Sequence, residues 1–111
     1  MTGRRLFTPA QRRQLVRNHG LRLPWAERLL LVPVCQLGLK GRGVDWMVSE
    51  LDVENGVLWG TCSSGPLRGR FDAFSFETLR QFGRDIEQRN AFVPRASEPI
   101  SYWMARWDRP L

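Results

Sequence analysis

The chain has a single histidine, and that scarcity narrows its chemistry before anything else does. A Ser–His–Asp or Cys–His site needs an imidazole beside its nucleophile, and His19 falls at the polar end of a helical stretch with no partner near it along the chain. Cysteine is almost as rare. Cys35 and Cys62 lie in apolar stretches, form no CxxC pair and follow no recognisable secretory leader, so the sequence predicts buried free thiols in a reduced, cytoplasmic setting. A structural zinc site wants about four Cys or His ligands, and three scattered ones exclude it. No cofactor signature appears. No apolar run approaches the roughly 18 residues of a membrane span; Leu29 to Val34 is the nearest and is far too short.

What the chain does have is enough for one core. Its 111 residues are 42% hydrophobic and include five Trp and six Phe. A chain of that length buries roughly two-thirds of its unfolded surface, so a single domain spanning residues 1–111 is expected without disulfides.

Charge is placed unevenly. Residues 1–42 carry Arg4, Arg5, Arg12, Arg13, Arg17, Arg22, Arg28, Lys40 and Arg42 against Glu27 alone, whereas the rest of the chain has a net −2. A basic third of this kind attracts polyanions by counterion release. The competing reading is compositional: 16 of the 17 basic residues are Arg, a bias that a GC-rich genome produces on a solvated face without selection for phosphate.

Local signals sketch the elements. Thr8-Pro9-Ala10-Gln11 is a helix start, with a Thr N-cap, Pro where no N–H is needed and Gln closing a capping box; the helix should run from about Pro9 to Asn18, with Gly20 as the left-handed residue beyond it. Residues 21–32 fit either a short helix opening at Pro24 to Arg28 or, from Leu29, an extension of the first strand. From Val34 the period becomes two. Val44, Trp46 and Val48 alternate with Asp45, Met47 and Ser49, and Asn55-Gly56 marks a hairpin to Val57-Leu58-Trp59. Gly38, Gly41 and Gly43 form a turn and lack phosphate-loop spacing. Arg70 to Phe74 is a fourth strand. Ser75 caps a helix through Phe82, interrupted by Gly83, and Ser97 caps a last one with Ile100, Trp103, Met104 and Trp107 on one stripe. The expected fold is α+β: a single antiparallel meander of three to four strands over residues 34–74, with flanking short helices near 9–18 and 76–82.

Other candidate sites are weaker. Glu50, Asp52 and Glu54, with Asp45 behind them, cluster near the hairpin, where carboxylates are ordinarily solvent-facing. Trp46, Trp59 and Phe71 could stack bases, but a protein with one sheet to bury needs them in its core. Tyr102, Trp103, Arg106 and Trp107 form a possible partner surface, with docking onto the chain's own sheet as the alternative.

In order along the chain, Leu6 to Arg12, Pro33 to Leu37, Trp46 to Asp52, Leu58-Trp59-Gly60 and Phe74 to Leu79 resemble successive blocks of a bacterial family, domain of unknown function twenty-nine fifty-eight. Ile86 to Pro94 and Ile100-Ser101-Tyr102 resemble its C-terminal blocks, so the likeness covers about residues 6–104. It departs at Ser63-Ser64, where the family loop is usually acidic, and at Arg68 and Arg70. The resemblance implies a plasmid or integrative-element accessory and carries over no catalytic residue.

The sequence therefore reads as a non-catalytic binding module of mobile-element origin. Weak, sequence-indifferent contact with nucleic acid would run through Arg4, Arg5, Arg12, Arg13, Arg17, Lys40 and Arg42. The alternative is a protein-binding inhibitor of a host defence system, of anti-restriction or anti-CRISPR type. Inhibitors that mimic DNA are acidic, so this basic chain would have to block a protein or a guide RNA. A small enzyme is the least supported class.

Overall fold

A computed structural model describes residues 6–88 and 98–108. Arg4, Arg5, the Ser97 cap and the part of the Ile86 to Pro94 block beyond Gln88 lie outside them. The elements run α1 (Pro9–Gly20), α2 (Trp25–Arg28), β1 (Cys35–Leu39), β2 (Val44–Asp52), β3 (Val57–Cys62), β4 (Asp72–Ser75), α3 (Phe76–Arg80), β5 (Ile86–Gln88) and α4 (Ile100–Asp108). The class is α+β around one antiparallel sheet. Its order is β4-β3-β2-β1-β5, so among the described residues it has five strands where the sequence predicts three or four. The added strand, β5, is only three residues long, too short to show a period, and exists by pairing Ile86 and Gln88 with Leu39 and Leu37 on the outer edge of β1.

Local chemistry sets the ends of the elements. The Thr8 hydroxyl accepts from Gln11 N–H at 3.1 Å, and the Gln11 side chain accepts from Thr8 N–H at 2.9 Å. That is the expected capping box. Helix α1 runs two residues past Asn18, through Gly20, and the left-handed residue is Arg22, at φ 50°, rather than Gly20. Residues 21–32 resolve into the short helix, and Leu29 to Val32 stay out of β1. Ser75 caps α3 through Thr78 N–H, and the helix stops at Arg80, short of the predicted Phe82. Two leading amides of α4, those of Ile100 and Ser101, are taken by the Leu31 and Leu29 carbonyls. The α2–β1 connection thereby caps α4.

Two apolar layers cover the sheet. One buries Leu37, Val48, Leu51 and Leu58 with Leu6, Phe7, Leu15 and Leu79. The other buries Met47 and Phe71 with Ile100 and Trp103 of α4. The C-terminal aromatic stripe thus docks on the chain's own sheet. Trp46 and Trp59, expected in the core, are half-buried, and they pack into different layers.

An irregularity in β2 decides which way its second half faces. The register against β3 slips between Val48, opposite Gly60, and Glu50, opposite Trp59, which leaves Ser49 as an extra residue. Strict alternation would put Glu50 with Val44, Trp46 and Val48. The bulge reverses the phase: Leu51 joins Val48 in one layer, and Glu50 turns towards Trp59. Gly60 permits the close approach here, since a Cβ on it would stand 2.0 Å from the Met47 carbonyl oxygen.

Candidate functional site

Strand β1 accompanies β2 only as far as Val48, whose carbonyl accepts from Val34 N–H at 2.8 Å. Beyond that rung α1 takes over the edge. The buried Asn18 amide donates to the Ser49 carbonyl at 2.9 Å and is itself held by Gln14 at 2.7 Å. This brings His19 to the carboxylates of β2. Its Nδ1 lies 3.0 Å from Glu50 Oε1, and its Nε2 lies 3.4 Å from Asp52 Oδ2.

Glu50 is 1% exposed, not a solvent-facing turn residue. Arg28 of α2 grips it with two parallel bonds, Nε to Oε2 at 2.9 Å and Nη2 to Oε1 at 3.0 Å. This bidentate geometry is the strong form of the ion pair. The guanidinium carbon lies 4.3 Å from the Trp59 ring centre, 5.2 Å from Phe71 and 5.6 Å from Trp25. Three rings therefore surround the cation, and rings of this kind attract a poorly hydrated guanidinium. Asp52 has its carboxyl held below the usual range, first by the Asn55 side chain and backbone and then, more weakly, by His19. Glu54 stays exposed in the turn.

Close along the chain His19 has no partner, but the fold supplies two carboxylates from β2. Its partners stand 31 and 33 residues away and arrive only when α1 docks on β2. Among the described residues no hydroxyl or thiol bonds to its ring. Both Glu50 oxygens are already engaged, so the cluster works as a clamp joining α1, α2 and β2. Cys35 and Cys62 are free and buried, and burial pushes both thiols up, which makes them poor nucleophiles. Among the described residues no group of three or more His, Cys, Asp or Glu is arranged to hold a metal ion, and no helix is long and apolar enough to cross a membrane.

The clamp determines which charges remain free. Arg12, Arg13 and Arg17 are exposed on α1, a helix with no acidic residue, and none of them forms an ion pair among the described residues. Lys40 and Arg42 are also exposed but occupy the β1–β2 turn, at the opposite end of β2 from Glu50 and Asp52. The fold therefore divides the predicted basic residues between two places. Of the C-terminal candidates, Trp103 is buried, Tyr102 and Trp107 are half-buried, and only Arg106 is exposed. Trp107 is further tied down by its carbonyl, which accepts from Arg68 Nε at 2.7 Å. Sequence reasoning missed Arg28 and Trp25 as site residues. An aromatic and a cation three residues apart, Trp25 and Arg28, were the available signal.

Comparison of the chain with protein-family models, curated proteins and solved structures finds no match.

Proposed function

We propose that this chain is a non-catalytic binding protein that holds the phosphate backbone of nucleic acid on the outer face of α1. The observation that carries the reading is the exposed group Arg12, Arg13 and Arg17 on α1, without an ion pair among the described residues, while Glu50 is already used by His19 and Arg28. Exposed guanidinium groups of this kind release condensed counterions from a polyanion, and each phosphate contact steepens the salt dependence of binding. Phosphate contacts position without reading sequence, so affinity should be indifferent to sequence. A plasmid or integrative-element setting, the implication of the family resemblance, belongs to the same proposal.

The test is retention on heparin and on random-sequence DNA. Charge reversal of Arg12, Arg13 and Arg17 to Glu should abolish retention with the melting temperature nearly unchanged, because these side chains lie on a solvated face. Binding that survives high salt, or one strongly preferred sequence, would contradict the proposal, as would no binding at low salt. In that last case the protein-directed inhibitor reading takes over, favoured by the exposed Leu21, Leu30 and Val32.

A further inference from the structure

Trp25 is the most exposed aromatic residue among those described, at 52%. Its exposure does not come from being loose. The ring packs at 68° against Phe71, with centroids 5.4 Å apart, and at 80° against Trp59 at 6.4 Å. Arg28, anchored to the buried Glu50, lies behind the same group of rings. A large indole is therefore fixed in place by the protein while half its surface faces solvent. A core residue has no need of that exposure.

Helix α1 packs Leu15 into the layer of Leu37 and Val48, whereas Trp25 packs on Phe71 and Trp59 of the other layer, and the two helices meet at the end of α1. His19, at the end of α1, and Arg28, in α2, bond the same Glu50 carboxylate, so the clamp brings the end of the basic helix next to the helix that carries Trp25. Along this stretch Arg12, Arg13, Arg17 and Arg22 are exposed, and Glu27 is the one acidic residue. Arg22 lies three residues before Trp25, and exposed cations combined with a preorganised open ring are the means by which proteins hold single strands, with phosphates on the cations and a base on the ring. In a duplex the bases are stacked on one another, and their faces are closed to such a ring.

We infer that the ligand class is single-stranded nucleic acid and that Trp25 is its base-stacking platform, with Arg17 and Arg22 contacting the flanking phosphates. This rests on the proposed phosphate-binding role of α1, and it adds a preference that the role alone does not predict. The experiment compares a twelve-nucleotide oligothymidylate with a duplex of equal length at low salt, by anisotropy and by tryptophan quenching, alongside heparin retention. The intact chain should prefer the single strand and show quenching. Trp25→Ala should weaken single-strand binding about tenfold, within the range for loss of one stacked base, while leaving heparin retention and duplex binding as they were. Trp25→Tyr, which keeps a stacking ring, should restore most of the affinity and guards against a folding defect in the Ala variant. Heparin retention without single-strand preference, or equal loss of single strand and duplex in Trp25→Ala, would overturn the inference and leave the phosphate-binding proposal standing. No heparin retention at all would defeat both.

Discussion

The Arg28–Glu50 pair lends itself to a double-mutant cycle whose outcome is set by the asymmetry of its burial. Glu50 is almost wholly enclosed, whereas the Arg28 side chain is 17% exposed. Arg28→Met leaves a carboxylate bonded only to His19 among the described residues, and a poorly compensated charge in such a site costs about 3–5 kcal/mol. Loss of the cation from the Trp59 face adds up to about 2 kcal/mol. Glu50→Met leaves a guanidinium that keeps its rings and some access to water, so its cost should be smaller, about 2–3 kcal/mol. Against a total stability of about 5–15 kcal/mol, either change is severe. The double variant removes both charges and places two flexible apolar chains against Trp25, Trp59 and Phe71, where thioether sulfur packs favourably. It should recover most of the loss, with a coupling of about 2–4 kcal/mol. Urea unfolding followed by tryptophan fluorescence reads all four proteins, with Trp59 as a reporter at the site. Single changes that cost less than about 1 kcal/mol, the worth of a surface pair, would refute the reasoning. So would a double variant as unstable as the two single losses added together.

Two further outcomes are expected in the sheet and in α1. Gly60→Ala should cost about 3 kcal/mol in a denaturation experiment, because the new methyl meets backbone at the bulge, while Gly20→Ala, in open space on a helix, should gain about 0.4–1 kcal/mol; equal effects at the two sites would show that the bulge can relax. Thr61→Val should be neutral or raise the melting temperature slightly, because the Thr61 hydroxyl is fully buried and has no hydrogen-bond partner among the described residues. A clear drop in melting temperature would mean that the hydroxyl has a partner in solution.

The features legible in the sequence are those whose cause is local. A capping box forms between residues three apart, Asn55-Gly56 turns the chain within four residues, and the Ile100, Trp103, Met104 and Trp107 stripe needs only the helical repeat to align it. Each of these takes the same form whatever the rest of the chain does. Tertiary structure alone decided the others. Strand β5 has no period of its own and is stable only because β1 offers an unpaired edge. Ser49 looks like one more member of an alternating run, but the bulge there inverts the phase of β2 and turns Glu50 into a buried anion, at a position where the period of two assigns it to the other face. His19, Arg28 and Glu50 are brought together from three separate segments. A carboxylate buried in the sheet needs cations, and those near enough to supply them depend on which helix covers the edge that β1 leaves open. That choice is made by packing across tens of residues, and no stretch of sequence short enough to show a periodicity contains it.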